Sequence, residues 1–264
     1  MTRDLIGCCA LITGASSGIG EATAKELAAK GMRVALVADK EKELNRVTGA
    51  IVSAGGSAIS MVVDLSKPAE VEGLVEKVEA LIGPLDLLVN NAGVGLGAAV
   101  VETEARDLRF LFEVNFFSLA EICRQAMRSM GARRSGHIIN VSSAAARFGG
   151  PGISAYSATK GAVHAFTQAL RIEATAAGVS VSEVLPVSVG TRFFDNVRGE
   201  GYRPKGIVLT AERVAQSITR CAMSHRPRPE VLPYPGLRAL FVVNALLPGL
   251  LVRLVGSRYA ADSR

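Results

Sequence analysis

One segment near the N-terminus reads Thr13-Gly14-Ala15-Ser16-Ser17-Gly18-Ile19-Gly20. It follows an apolar run of strand length, residues 8–12, and precedes a helical pattern over residues 18–30. Glycines let the backbone turn tightly here and approach a pyrophosphate, and the N–H groups at the start of the helix favour an anion. The strand–turn–helix context therefore predicts a dinucleotide-binding turn. Its predicted contacts are Gly14, Ser16, Ser17, Gly18, Ile19 and Gly20.

Short apolar runs and helical patterns alternate along the rest of the chain. Further strands are predicted at residues 34–37, 58–63, 85–89, 137–141 and 180–185. Helices are predicted at residues 42–54, 68–82, 104–130, 156–177 and 211–223. Because the strands are apolar throughout, they are typical of a parallel sheet that is covered on both sides. We therefore predict an α/β fold: a Rossmann-type, doubly wound parallel sheet with helices on both faces.

The composition is that of a globular protein: of the 264 residues, 49% are hydrophobic and 20% are charged. No internal repeat or low-complexity linker divides the chain, so we predict a single domain over residues 1–264. Within it we assign the dinucleotide-binding and catalytic core to residues 5–191 and a substrate flap to residues 192–210. An apolar, helical C-terminal extension is predicted at residues 236–264.

The charged residues, cysteines and histidines argue against several functions. The net charge is +6, but the basic residues are spread along the chain without interleaved aromatics, so we predict no nucleic-acid site. The four cysteines form no C-x-x-C pair and the three histidines do not cluster in sequence, which predicts neither a disulfide framework nor a metal site. Reduced cysteines and an N-terminus without the apolar segment of a signal peptide favour a cytoplasmic location.

Polar and small residues follow the ends of three predicted strands. Asp39 comes after the second strand, where a carboxylate can accept hydrogen bonds from the adenosine ribose and repel a 2′-phosphate. We therefore predict NAD rather than NADP, although the neighbouring Lys40 would attract that phosphate. The residues after the third strand are placed to meet the adenine ring, and those after the fourth strand to lie beside the cofactor. They are Asp64 and Leu65, and then Asn91, Ala92 and Gly93.

Six features occur in a fixed order along the chain. They are the glycine turn of residues 13–20, Asp64, residues 90–93, Asn115, Ser143 and the run Tyr156-Ser157-Ala158-Thr159-Lys160. In these features the chain resembles the short-chain dehydrogenase/reductase family over roughly residues 5–191. One feature alone could arise by chance, but six in family order are specific. The resemblance implies an enzyme that transfers a hydride between a nicotinamide cofactor and an alcohol or ketone.

Tyr156 and Lys160 are four residues apart and so lie on one face of the predicted helix. Oxidation of an alcohol needs a base that takes the hydroxyl proton while a hydride leaves the carbon. Tyrosine has a reference pKa of about 10, but a nearby ammonium favours the phenolate and lowers that pKa. We therefore predict Tyr156 as the acid–base residue. The resemblance implies that Lys160 also binds the nicotinamide ribose, so that both residues contact the cofactor.

Two further catalytic positions are implied by the resemblance. Ser143 matches the serine that hydrogen-bonds the substrate oxygen, and Ser142 is the adjacent alternative. Because a shift of one residue along a strand turns the side chain to the other face, only one of them should serve. The spacing to Tyr156 favours Ser143. Asn115 matches the family residue that holds a water in the proton relay with Lys160.

The segment after the sixth strand reads Pro186-Val187-Ser188-Val189-Gly190-Thr191. By resemblance, this loop lies near the nicotinamide carboxamide, and we predict cofactor contacts from Pro186, Val189 and Thr191. Val187 replaces a glycine that the family usually has here. A β-branched residue does not readily adopt a positive φ, so the local path of the loop stays open.

Residues 237–255 are strongly apolar, and Pro248-Gly249 should interrupt a helix within them. This segment has three interpretations. It covers the substrate cleft and favours a lipophilic substrate, it lies on a membrane surface with the help of its arginines, or it packs against a partner subunit. In the flap, Phe193 and Phe194 either face an apolar substrate or pack the flap down.

The sequence as a whole predicts an NAD(P)-dependent oxidoreductase that acts on a small secondary alcohol or ketone of lipophilic character. The long helices at 104–130 and 154–177 resemble those through which the family forms dimers and tetramers, so we expect a homodimer or homotetramer. Two alternatives are a dinucleotide-binding sensor or scaffold without catalysis, and a peripheral membrane protein that acts through residues 237–255. The intact set of Asn115, Ser143, Tyr156 and Lys160 argues against the sensor.

Overall fold

The computed structural model describes residues 4–191, 193, 206–249 and 252–253. The strands within this part of the chain are β1 Cys9–Thr13, β2 Arg33–Ala38, β3 Ser57–Val62, β4 Leu85–Asn90, β5 His137–Val141, β6 Ser180–Val184, β7 Ser188–Val189, β8 Val208–Leu209 and β9 Glu230–Val231. Seven strands form a parallel sheet in the order β3-β2-β1-β4-β5-β6-β9, and β7 pairs with β8. The strand order reverses between β1 and β4, which is the point where such sheets bind ligands.

The helices lie on both faces of the sheet. They are α1 Gly18–Ala29, α2 Glu41–Ser53, α3 Pro68–Val71, α4 Leu74–Ile82, α5 Ala105–Phe112, α6 Ser118–Arg133, α7 Ser154–Ala176, α8 Ala211–Ala222 and α9 Leu237–Leu246. Successive residues of β1 point to opposite faces. Ala10 and Ile12 pack with α1, α2 and α8, whereas Cys9 and Leu11 pack with α4, α6 and α7. The predicted doubly wound α/β fold with two covered faces is therefore confirmed.

Two predicted helices and three short strands differ from the sequence prediction. The predicted helix 68–82 is divided into α3 and α4, because Gly73 adopts a left-handed conformation with φ of 67°. The predicted helix 104–130 contains a π-helical turn, Glu113–Phe117, between α5 and α6. Such turns are frequent at functional sites, and this one carries Asn115. Strands β7, β8 and β9 have two residues each, which is too short for a hydrophobic pattern to reveal.

The C-terminal extension begins with α9, whose residues Leu237 and Phe241 pack in an apolar cluster with Leu185. The helix ends at Leu246, and Leu247 leaves the helical conformation with φ of −135° and ψ of 63°. The helical conformation is disfavoured for a residue before proline, and Pro248 follows Leu247. Among the described residues, no helix combines the length and the hydropathy needed to cross a bilayer. Most of the predicted flap, including Phe194, and the extension beyond residue 253 lie outside the described residues.

Candidate active site

A cavity of about 750 Å³ opens at the carboxyl ends of the central strands. Residues from the loops after β1, β2, β3, β4, β5 and β6 and from α7 form its wall. Two predicted residues, Gly20 and Asn115, are buried behind this wall. The other predicted site residues lie on it: Gly14, Ser16, Ser17, Gly18, Ile19, Asp39, Asp64, Leu65, Asn91, Ala92, Gly93, Ser143, Tyr156, Lys160, Pro186, Val189 and Thr191.

Hydrogen bonds connect the glycine turn to the residues that follow β4. The Thr13 hydroxyl accepts hydrogen bonds from the backbone N–H groups of Asn91 (3.0 Å) and Ala92 (3.1 Å), and Asn91 Nδ2 donates to the Thr13 carbonyl at 3.0 Å. Gly14 has φ of +64°, and a Cβ atom there would lie 2.8 Å from Ala92 Cα. This position therefore excludes a side chain, and the backbone itself forms the floor of the cavity.

The start of α1 faces the same floor. Gly18 has φ of +56°, and a Cβ atom there would lie 3.0 Å from Thr191 Cγ2. A Cβ atom on Gly20 would overlap the Gly14 carbonyl oxygen, so this glycine lets α1 pack closely on the turn. The first N–H groups of a helix have no intrahelical acceptor and attract phosphate. The turn thus fits the pyrophosphate of a dinucleotide.

The two acidic residues of the cavity wall differ in their surroundings. Asp39 is exposed, directly after β2, with Lys40 beside it. Asp64 Oδ1 instead accepts hydrogen bonds from the backbone N–H (3.0 Å) and hydroxyl (2.7 Å) of Ser66. The Ser66 hydroxyl bond lowers the pKa of Asp64 below its ordinary value. The Asp64 carboxylate therefore shapes its own loop, and Leu65 supplies the apolar surface at this place.

Helix α7 places Tyr156 and Lys160 one turn apart on the wall. Lys160 Nζ lies 5.9 Å from the centroid of the Tyr156 ring and donates a hydrogen bond to the Val141 carbonyl at 3.0 Å. Lys160 is only 4% exposed. Burial lowers the pKa of Lys160 to about 8, and the negative charge of Glu183 partly opposes this effect. At neutral pH the side chain is therefore still mainly an ammonium.

Asn115 joins the loop after β4 to α7. Its Oδ1 accepts from the Val94 N–H at 2.8 Å, while its Nδ2 donates to the Val94 carbonyl at 2.9 Å and to Thr159 Oγ1 at 3.0 Å. Both amide hydrogens are thus used within the protein. A Cβ atom on Gly93 would lie 3.3 Å from Asn115 Oδ1 and 3.4 Å from Lys160 Nζ. Asn115 is therefore adjacent to the Lys160 side of the cavity, and its role in a water relay stays a prediction.

The two serines after β5 have separate contacts. The Ser142 hydroxyl is buried and donates to the Lys160 carbonyl at 3.3 Å. Ser143 is partly buried on the cavity wall, and its hydroxyl oxygen accepts from the Ala145 N–H at 3.1 Å. A hydroxyl that accepts through a lone pair keeps its hydrogen for donation. The geometry therefore favours Ser143 over Ser142 for contact with a substrate.

The loop after β6 follows an ordinary path despite Val187. Among the described residues outside glycine, only Arg134 has a positive φ. The Pro186 carbonyl accepts from the Ala144 N–H at 2.9 Å, and Val187 packs on the apolar core. Val189 then pairs with Leu209 across β7 and β8. The replacement of glycine by valine is thus accommodated without a strained backbone.

The apolar half of the cavity lies outside the dinucleotide and catalytic motifs, although Phe193 and residues 237–255 were among the predicted alternatives for a substrate cleft. The Phe193 ring centroid lies 5.7 Å from that of Tyr156, which places this flap residue on the wall. Helix α9 contributes Leu237 and Leu240. The remaining apolar residues come from loops and helix ends that have no recognisable motif. They are Val94, Leu96, Phe110, Val114, Phe148, Ile153, Ile207 and Tyr234.

A row of polar side chains under α7 was not predicted as a cluster, although Asn90 belongs to the feature at residues 90–93. Asn90, Asn140, Glu183 and Glu230 occupy paired positions on β4, β5, β6 and β9. Asn90 Nδ2 donates to Asn140 Oδ1 at 3.0 Å, and Asn140 and Glu183 have no exposed surface. Each residue is a single polar position in a different strand, and only the strand order brings them together.

His164 lies next to this row, one turn after Lys160. Its Nδ1 is 2.7 Å from Glu183 Oε2, and Arg147 forms an ion pair with Glu230. The ligand atoms of His164, Glu183 and Glu230 lie within 4.8 Å of one another, which is a spacing that a metal ion could use. The Arg147 guanidinium already supplies a positive charge there. We therefore interpret the cluster as a hydrogen-bonded network with one ion pair, Arg147–Glu230, that packs α7 on the sheet.

A parallel sheet with a glycine turn at its reversal point and a tyrosine–lysine pair beside it defines a class of nicotinamide-dinucleotide-binding proteins. The family model described as short chain dehydrogenase matches residues 8–200, and the chain belongs to this family. The resemblance predicted from the motifs is thus confirmed.

Solved structures and curated proteins agree with this assignment. A short chain dehydrogenase/reductase from Burkholderia phymatum in complex with NAD has a TM-score of 0.84 and 29% identity, covering 94% of this chain and 96% of that chain. A metagenomic short-chain oxidoreductase in complex with NADP has a TM-score of 0.76 and 31% identity, covering 87% and 98%. The ketoacyl reductase HetN from Nostoc sp. is 33% identical over 182 residues, which is 69% of this chain but 63% of that protein.

Proposed function

We propose that this protein is an NAD(P)-dependent oxidoreductase that transfers a hydride between the nicotinamide and a secondary alcohol or ketone. The observation that carries the proposal is the Lys160 ammonium, 5.9 Å from the Tyr156 ring on the wall of the cavity that also contains the glycine turn. A tyrosine–lysine pair that occurred by chance on the surface of a helix would not lie beside a cavity with a glycine turn.

The side chains divide the reaction between them. The nicotinamide supplies or accepts the hydride when it is bound. Tyr156 takes the proton from an alcohol or returns it to a ketone, and the Lys160 charge favours the phenolate that this transfer needs. The Ser143 hydroxyl donates to the substrate oxygen and so stabilises the charge that develops there. Asn115 hydrogen-bonds the backbone of Val94 and so positions the neighbouring Gly93 beside Lys160.

NAD is the proposed cofactor, in preference to NADP. Asp39 is exposed on the cavity wall after β2, where its carboxylate can accept from ribose hydroxyls and repel a 2′-phosphate. Lys40 lies on the same wall, and its positive charge would attract that phosphate. The two structural relatives contain NAD in one case and NADP in the other, so the ratio of activities has to be measured.

The proposed substrate is lipophilic. The cavity beyond Tyr156 is lined by Phe193, Leu237 and Leu240, and apolar walls favour apolar ligands. The name of the Nostoc relative, a ketoacyl reductase, adds 3-oxoacyl compounds to the substrates to be tested.

We further propose a homodimer or homotetramer in the cytoplasm. Large apolar side chains are exposed on the helices that the resemblance implicates in assembly: Leu108, Phe117 and Ile172. These side chains would be available for a contact between copies of the chain. Light scattering coupled to size-exclusion chromatography measures the assembly directly.

The test of the activity is a spectrophotometric assay of reduced nicotinamide. Purified protein is mixed with each of the four nicotinamide cofactors and a panel of secondary alcohols, steroid and aliphatic ketones, and 3-oxoacyl thioesters. Turnover with wild type and its loss in Tyr156→Phe supports the proposal. Dinucleotide binding without turnover of any compound would instead favour the sensor or scaffold.

A further inference from the structure

Helix α9 is apolar on two opposite sides. Leu237 and Phe241 are buried against the core. On the other side Val242, Val243 and Leu246 are exposed, and Leu246 retains 75% of its accessible surface. Residues four or three apart share one helix face, so these side chains form a continuous strip. We call this strip the outer face of α9; Leu247 and Val252, which follow the helix, are exposed as well. A contiguous exposed apolar strip of this kind marks a contact with a partner or with a membrane.

Exposed basic residues lie on α9 and after it. Arg238 and Arg253 are both exposed. The sequence from Val231 to Ala261 contains no aspartate or glutamate. The outer face thus lies in a segment that combines apolar side chains with positive charge, and no acidic residue of this segment balances that charge.

We propose that the outer face of α9 docks on the surface of an anionic phospholipid bilayer. Apolar side chains enter the boundary between headgroups and acyl chains, and arginines contact the phosphates. A second copy of this chain is a less suitable occupant. In a two-fold dimer this patch would pack against its own copy, and two positively charged segments without an aspartate or glutamate between Val231 and Ala261 would come together.

Docking would bring the bilayer close to the cavity. Leu237 and Leu240 of the same helix line the cavity wall, on the side away from Leu246. A helix with its side chains is about 10 Å across, so one helix diameter would separate the lipid from the apolar half of the cavity. The docking itself does not depend on the proposed hydride transfer.

The experiment is sedimentation of the full-length protein with vesicles, without cofactor or substrate. One set of vesicles is phosphatidylcholine, and the other is equimolar phosphatidylcholine and phosphatidylglycerol. We expect the wild type to bind mainly the anionic vesicles. Leu246→Asp should lower the partition coefficient at least about tenfold. Docking would bury the leucine side chain in the bilayer, whereas the carboxylate of the variant would face anionic lipid. Arg238→Gln should lower it about fivefold.

Leu81→Asp is the matched control, because Leu81 is an exposed leucine on α4, and it should bind as the wild type does. Circular dichroism checks that each variant is folded. Equal binding of Leu246→Asp and wild type overturns the proposal, as does equal binding to the two kinds of vesicle. If Leu246→Asp dissociates an oligomer of a protein that binds neither vesicle, the face is an interface between copies and the proposal is wrong.

Discussion

Replacement of Lys160 by methionine should stabilise the protein at neutral pH, and the gain should shrink as the pH rises. Burial lowers the pKa of Lys160 from 10.5 to about 8. Between about pH 8 and pH 10.5 the folded state therefore binds fewer protons than the unfolded chain. Lys160 thus makes the wild type more stable as the pH rises through this range. At lower pH the buried ammonium costs about 3 kcal/mol of unfolding free energy, at about 1.4 kcal/mol per pKa unit.

Methionine removes this charge but leaves the Val141 carbonyl without the donor that now lies 3.0 Å away. An unpaired buried acceptor costs about 1–3 kcal/mol, and this loss does not depend on pH. The net gain near pH 7 is therefore about 0–2 kcal/mol. The change with pH isolates the charge: the difference between variant and wild type should fall by about 2 kcal/mol between about pH 7 and pH 9.5.

Urea unfolding of the cofactor-free protein at a series of pH values measures this difference. Lys42→Met is the control, because Lys42 is exposed on α2 and its replacement should follow the wild type at every pH. A stability difference between Lys160→Met and wild type that stays constant with pH would refute the reasoning. It would show that burial does not penalise the ammonium.

Four further substitutions test the site. Tyr156→Phe should keep dinucleotide affinity, measured by fluorescence titration, within about twofold and lower kcat at least about a hundredfold; retained turnover would exclude Tyr156 as the base. Lys160→Ala should lower kcat and move its pH profile upward, since the phenolate loses its cation, and an unmoved profile would contradict this role. Asp39→Ala should lower the ratio of kcat/KM with NAD to that with NADP at least about tenfold, and an unchanged ratio would remove Asp39 from the ribose site. Gly93→Val should weaken dinucleotide binding, measured by calorimetry, at least about tenfold. The valine Cβ would lie 3.4 Å from Lys160 Nζ, and its two methyl groups would extend farther. Wild-type affinity would show that the cofactor does not approach Gly93.

The parallel sheet could be predicted because its strands are apolar runs bounded by turns, and β5 was predicted with its observed bounds. Helix 68–82 could not be predicted correctly, because its apolar period continues across Gly73 and only the backbone angle shows the break. The π turn at Asn115 keeps the chain helical and therefore leaves no polar or glycine signal. β9 is held in the sheet by pairing with β6, which no local pattern encodes.

The cofactor side of the cavity could be predicted because its residues follow the ends of parallel strands, where the topology itself brings them together. The apolar side comes from segments far apart in sequence, such as Phe148 and Leu240, whose proximity depends on loop paths. The cluster of His164, Glu183 and Glu230 was missed for a similar reason. Separate strands and a helix supply one residue each, so the histidines appeared isolated.

The position of β9 at the end of the sheet affects how the protein behaves at high concentration. An unpaired strand edge can template pairing with a strand of another molecule. β9 is only two residues long, and Pro229 and Pro233 bound it closely and have no N–H group to offer a neighbouring strand. Glu230 on the strand itself carries a charge, in an ion pair with Arg147. This end of the sheet should therefore resist edge-to-edge aggregation during refolding and storage.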